Sequence, residues 1–133
     1  MAHPNEDLIR RLFDAFRRGD REEAVALFAE DAVFRYPGHG PLHGDHRGRA
    51  GIVRYWAEQD RLSGGEFRPE PLDLVAGDRY VYLLVRIAPG DGTRPWLRIV
   101  VYEVSNGLIA GARVFEEDPA AAHAFFSRGE GAG

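Results

Sequence analysis

The dipeptide Asn106-Gly107 constrains this chain more than any other feature. A two-residue hairpin loop needs positive φ at both central positions, and Asn-Gly meets that need at the least steric cost. Runs of alternating character flank it, residues 94–104 before the turn and 108–116 after it. A third run, 79–88, places Val81, Leu83, Val85 and Ile87 in alternation with Tyr80, Tyr82, Leu84 and Arg86. Gly77-Asp78 turns into this run, and the Pro89-to-Gly92 stretch separates it from the next. Three consecutive segments of period two with short turns between them predict an antiparallel meander.

Upstream the period is helical. Asn5 can cap a first helix whose apolar residues Leu8, Ile9, Leu12, Phe13 and Phe16 recur at helical spacing. Acids in its first turn, arginines in its last and Gly19 at its end agree with the helix dipole. Asp20 with Glu23 resembles a capping box and opens a second helix expected to bury Ala24, Val25, Leu27 and Phe28. A short strand, 32–36, ends at Pro37. A loop of Gly, Pro and His follows, then a third helix over about 49–61 with Ile52, Val53 and Trp56 on one face. A segment holding Phe67, Leu72 and Leu74 is interrupted by Pro69 and Pro71, which cannot donate to a ladder, so it predicts an edge strand. Asp118 caps a final helix with Pro119 at its first position.

Three helices with one short strand inserted, then a meander, give an α+β domain: a curved antiparallel sheet wrapped around helices, with a cone-shaped interior open at one end. At 133 residues the chain suits a single domain. That domain is expected over 1–127, with 128–133 a disordered tail.

Composition narrows the chemistry. The net charge is −4, which supplies no basic field for nucleic acid. No apolar run approaches the roughly 20 residues of a membrane span, and no signal peptide is evident, so the expectation is a cytoplasmic protein without a membrane partner. The absence of cysteine removes thiol nucleophiles, disulfides and thiolate metal sites. All 17 basic residues are arginine, so no lysine can form a Schiff base. Ser63, Thr93, Ser105 and Ser127 lie in no nucleophile context, and no glycine-rich phosphate loop is present. No cofactor is implied. Any chemistry falls to His, Tyr, Asp, Glu and Arg.

The words FDAFRRGD, VALFAEDAVFRYPG, PLHGDHRGRAGI and VVYEVSNGLIAGARVFE, in this order, resemble the nuclear transport factor 2-like superfamily. That group includes ketosteroid isomerases, limonene epoxide hydrolase and SnoaL-type polyketide cyclases. YPGHGPLHGDHRGRAGI followed by LSGGEFRPEPLDLVAGDRYVYLLVR looks like a SnoaL-like actinobacterial subfamily, mostly of unassigned function. The resemblance spans about residues 5–127 and implies the cone fold, a pocket and a homodimer. It does not transfer a mechanism, because one fold hosts many activities. The isomerase base falls on Tyr36, its oxyanion-hole tyrosine on Leu12 and its protonated aspartate near Val101. The cyclase-type aspartate falls near Val114, and the epoxide hydrolase's Arg and two Asp are not all recoverable.

In this fold Leu83, Val85, Ile99 and Val101 would line the cavity, joined by Leu12, Phe16, Trp56 and Phe115; the same pattern also serves a filled core. Tyr36, at the end of the first strand, could donate to a ligand oxygen or be an aromatic core residue with a wet hydroxyl. Histidine is the side chain whose unperturbed pKa lies near neutrality, and the loop gathers His39, His43 and His46. Their spacing invites a metal, but the loop is not helical and no further ligand is placed, so no metal is expected. His39 is the acid–base candidate, while His43 and His46 read as solvated loop residues that Asp45 can orient. Arg113 follows the alternation inward with Gly111 and Phe115, where it would need Glu103, Glu117 or a ligand anion. With the strand flipped by one residue it would instead be solvated. Arg98 is a weaker candidate. Tyr80, Tyr82, Arg86 and Tyr102 would face outward and form the homodimer contact.

Two functions remain open. One is a cofactor-independent small-molecule enzyme of secondary metabolism performing cyclisation, isomerisation, dehydration or epoxide opening on a hydrophobic oxygenated substrate. In it His39 exchanges a proton and Arg113 stabilises negative charge. The other is a non-catalytic module of the same fold that binds a ligand or a partner.

Overall fold

The computed structural model describes residues 3–90 and 92–130, with the side chains of Gly129 and Glu130 outside the description. The elements in chain order are α1 (Pro4–Arg17), α2 (Arg21–Ala26), β1 (Phe28–Tyr36), β2 (Gly44–Arg47), α3 (Gly48–Leu62), β3 (Pro69–Ala76), β4 (Tyr80–Ile87), β5 (Trp96–Ser105), β6 (Leu108–Glu116) and α4 (Pro119–Glu130). The strands form one sheet in the order β2-β1-β6-β5-β4-β3. β1 runs parallel to β6 and every other neighbouring pair is antiparallel, so the expected antiparallel sheet carries one parallel seam. The sheet is curved and unclosed, and the helices close its concave side into an α+β cone.

Local chemistry explains the elements. Asn106 and Gly107 take φ of 54° and 76°, the two positive values of the expected tight turn. Asp20 accepts from the Glu23 amide at 3.0 Å and caps α2. Asp118 does the same for α4 through the Ala121 amide at 2.9 Å. The cap of α1 differs from the expectation. His3 accepts from the Asn5 amide, while the Asn5 side chain donates to the Gly77 and Asp78 carbonyls and ties the helix to the β3–β4 turn. β3 is an edge strand, as its two prolines require.

Other boundaries move. Phe28 leaves α2 and opens β1, which starts earlier than expected, and β2 forms inside the histidine loop. Gly51, on the first turn of α3, sits so close to β2 that a Cβ would lie 3.3 Å from the His46 carbonyl carbon. Arg49 donates through Nε and Nη2 to the Phe28 carbonyl at 3.0 and 2.8 Å, locking α3 onto β1. α4 continues to Glu130, so residues 128–130 extend a helix rather than beginning a tail, and 131–133 lie outside the described residues. Among the described residues no helix is long and apolar enough to cross a membrane.

The inner face of the sheet carries Val81, Leu83, Val85 and Ile87 from β4, as expected. On β5 the buried set is Trp96, Arg98, Val100, Tyr102 and Val104, one residue out of step with the expected Ile99 and Val101. On β6, Ala112, Val114 and Glu116 point inward while Arg113 and Phe115 point out. The β6 shift has a specific cause. The ladder changes register between Glu103 and Val104, so that one extra residue of β6 is accommodated near Ala110 and Gly111. Such a bulge inverts the side-chain parity of everything beyond it.

Candidate functional site

α1, α3 and the inner sheet face enclose a cavity of about 440 Å³. Its walls are apolar: Leu12, Phe13 and Phe16 from α1, Trp56 from α3, Phe28 and Phe34 from β1, Val85 from β4, Val100 from β5 and Phe67 before β3. The aromatic rings brace one another edge to face, with Phe16 and Phe28 centred 4.7 and 5.7 Å from Trp56. A pocket of this size suits one drug-sized molecule, and its walls suit an apolar or aromatic one.

The polar lining is of two kinds. Arg98, Tyr55, Tyr102 and Gln59 are held by β5 and α3, and Arg17, Arg21, Asp60 and Arg68 are the more exposed charged groups. Arg98 and Glu116 are cross-strand partners, which puts both side chains on the inner face. They form a bidentate pair, Nε to Oε1 and Nη2 to Oε2, both at 2.8 Å, with side chains only 6% and 7% exposed. Tyr36 donates its hydroxyl to Glu116 Oε2 at 2.6 Å, and Trp96 donates Nε1–H to Oε1 at 3.1 Å. The guanidinium lies between the Tyr36 and Phe67 rings, 5.6 and 5.1 Å from their centroids.

Four donated hydrogen bonds occupy the Glu116 carboxylate. Burial alone would push its pKa up, but Arg98, Tyr36 and Trp96 more than offset this and hold it below the ordinary value. Burial likewise works against the charge on Arg98, and Glu116 outweighs it, so the guanidinium pKa rises further. The phenols of Tyr36, Tyr55 and Tyr102 are all raised well above the usual tyrosine value, burial being the chief cause, with Arg98 opposing it. These three are hydrogen-bond donors at neutral pH.

Two donors remain unspent. Tyr102, 4% exposed, makes no hydrogen bond to any group among the described residues, and the same holds for the indole N–H of Trp56. Neither atom is sealed within the protein, so each faces the space its residue lines. Tyr55 is already engaged, donating to Gln59 Oε1 at 3.2 Å. The arrangement can present hydrogen bonds and a fixed cation to a ligand oxygen, but its buried carboxylate has no capacity left to take a proton.

Leu12, Phe16, Trp56 and Val85 stand on the cavity wall. Leu83 lines a smaller space between α1 and β3. Ile99 and Phe115 lie on the outer face, 42% and 49% exposed, and Val101 shares that face. Arg113 is exposed as well, so the pairing of His39 with Arg113 as acid–base and oxyanion groups fails. Its expected carboxylate partners are engaged elsewhere: Glu103 with Arg79 at 3.1 Å, and Glu117 with the Leu97 amide at 3.0 Å. His39 is exposed and does not line the cavity. Tyr36 is buried on the inner face, but its proton is directed at Glu116, which makes it a support for the ion pair rather than a ligand contact. His43 and His46 bond to the backbone carbonyls of Gly40 and Leu42, and the His46 ring stacks on Tyr55 at 4.6 Å.

Sequence reasoning missed Tyr55, Gln59 and Glu116 and placed Tyr102 outside. Ile52, Tyr55, Trp56 and Gln59 share one helical face, a signal that was available. The Arg98–Glu116 pairing was hidden by the bulge, for which Gly111 inside a strand was the only hint.

Residues 9–112 match the family model of the SnoaL-like domain. The uncharacterized protein Rv0034 of Mycobacterium tuberculosis (strain ATCC 25618 / H37Rv) is 28% identical over 124 residues, covering 91% of this chain and 95% of that protein. Bal32a, from a soil-derived mobile gene cassette, is 28% identical with a TM-score of 0.84, covering 92% of this chain and 96% of its own. TerC, solved after co-crystallisation with polyporic acid, is 21% identical with a TM-score of 0.79 over 93% of this chain and 98% of its own, and shares the fold. The chain belongs to the SnoaL-like domain family.

Proposed function

We propose that the cone binds a hydrophobic, oxygen-bearing small molecule and polarises its oxygen with the Tyr102 hydroxyl beside the Arg98 guanidinium. The observation that carries this reading is the unspent Tyr102 donor in an aromatic-walled cavity. Facing the cavity, that hydroxyl is free to donate to a ligand carbonyl, enolate or phenol oxygen, a hydrogen bond worth about 0.5–1.5 kcal/mol net. Burial keeps that proton in place across the neutral range.

Because Glu116 is saturated and His39 lies outside the cavity, this geometry favours a binding module over acid–base turnover. The second reading is a cofactor-independent enzyme of secondary metabolism, of the cyclase or isomerase kind. Asp60 favours it: this wall carboxylate stands 4.0 Å from Arg21, at the limit of an ion pair, and has lone pairs to spare. In that reading Asp60 moves the proton and Tyr102 stabilises the enolate, worth about 10²–10³ in rate.

The test is a titration of aromatic ketones and phenols followed by tryptophan fluorescence, with each mixture then assayed for product by mass spectrometry. Tyr102→Phe should weaken binding about tenfold while leaving the melting temperature nearly unchanged. Product formation that Asp60→Asn abolishes would move the enzyme reading ahead, and unaltered affinity in Tyr102→Phe would discard the proposed contact.

The outer sheet face is proposed to pair two copies of the chain. Val75, Tyr80, Tyr82, Ile99 and Phe115 are exposed there, an apolar and aromatic surface of the sort that soluble monomers seldom leave open. Tyr102, expected in that contact, points inward instead.

A further inference from the structure

We infer that the occupant of the cone is an anion: a hydrophobic carboxylic acid whose apolar body fills the cavity and whose carboxylate meets the arginines along its polar margin. This deepens the pocket reading above and rests on it. Three guanidiniums from three separate elements line the one cavity, Arg17 at the end of α1, Arg21 at the start of α2 and Arg68 just before β3. Against them stands one lining carboxylate that is not buried, Asp60.

Their existing contacts offset that charge unevenly, most at Arg17 and least at Arg68. Arg17 donates to Asp14 at 2.7 Å, an exposed pair on its own helix. Arg21 reaches Asp60 only at 4.0 Å. Arg68 donates to the backbone oxygens of Gly65 and Phe67 and has no carboxylate partner among the described residues. The fourth lining arginine, Arg98, is neutralised by Glu116 and adds no net charge.

The whole chain carries a net charge of −4, so a local surplus of positive charge at one cavity runs against the general field. Low-dielectric walls focus such a field toward the opening. An exposed guanidinium needs no partner for stability. Three of them around an aromatic cavity, however, select a ligand with a planar, bidentate anionic group at the end of an apolar body. A neutral ligand would use the walls and Tyr102 but leave this charge unused.

The experiment uses the full chain and a matched pair of probes, 2-naphthylacetate and its neutral amide, titrated calorimetrically at low and high salt. The acid should bind about tenfold more tightly than the amide at low salt, and added salt should erase most of that gap. Arg68→Gln should weaken the acid and leave the amide unchanged, whereas Tyr102→Phe should not change the preference for the acid. Equal affinity for the two probes, or an acid preference that survives Arg68→Gln together with Arg17→Gln, overturns the inference while the pocket reading stands. Binding of neither probe overturns both.

Discussion

The two faces of β5 and β6 carry similar residues with opposite fates. Inside, Arg98 and Glu116 are sealed from water and joined by two hydrogen bonds, with Tyr36 and Trp96 completing the carboxylate's shell. Outside, one position away along each strand, Ile99 and Phe115 lie open to solvent with Arg113 beside them. Hydrophobicity alone would have sorted them the other way. A charge can occupy the inner face because its partner lies directly across the ladder and the remaining lone pairs meet fixed donors. Isoleucine and phenylalanine stand exposed on the outer face, where the proposed pairing of two copies would cover them.

Removing one half of the inner pair should have the largest effect. Glu116→Ala leaves Arg98 buried and uncompensated, at a cost of about 3–5 kcal/mol in chemical denaturation. Arg113→Ala, on the outer face, should change stability by less than about 0.5 kcal/mol. Replacing both inner partners, as in Arg98→Met with Glu116→Leu, should recover much of the loss. A Glu116→Ala protein as stable as the parent would erase the contrast between the faces.

Acid sharpens the same comparison. The Glu116 pKa is lower folded than unfolded, so its contribution is complete above the ordinary carboxylate pKa and is lost as pH falls through the folded value. The parent's urea midpoint should therefore drop steeply in acid, and that of Glu116→Gln should start lower and fall less. Parallel pH profiles would place the acid sensitivity elsewhere.

On the outer face, Ile99→Arg or Phe115→Arg should shift the monomer–dimer equilibrium toward monomer by about tenfold or more with little change in monomer stability, read by analytical ultracentrifugation. A parent chain that is monomeric at all accessible concentrations would instead leave the exposed patch unexplained. His39→Ala should show the smallest effect, with stability within about 0.5 kcal/mol and ligand affinity unaltered. A marked loss of affinity would bring the histidine loop back into the site.

Much of the fold could be read from local chemistry. The Asn106-Gly107 turn, the caps at Asp20 and Asp118, the edge prolines and the inner set of β4 each rest on a neighbouring residue or a period of two. The apolar cavity wall was legible for the same reason on α1 and α3, where helical spacing places Leu12, Phe16 and Trp56 on inward faces. The polar site was not. Arg98 pairs with Glu116 only because one extra residue is taken up in β6, and nothing in the spacing of the two strands counts that residue.

The chain by itself thus determined the class of fold, its turn positions and the apolar character of its interior, because each depends on contacts a few residues apart. The tertiary structure alone decided which face of β5 and β6 is the interior, which arginine is buried, and which tyrosine keeps a free hydroxyl. Those outcomes depend on partners 18 and 80 residues away in sequence, Glu116 for Arg98 and for Tyr36, brought together only when the ladder closes.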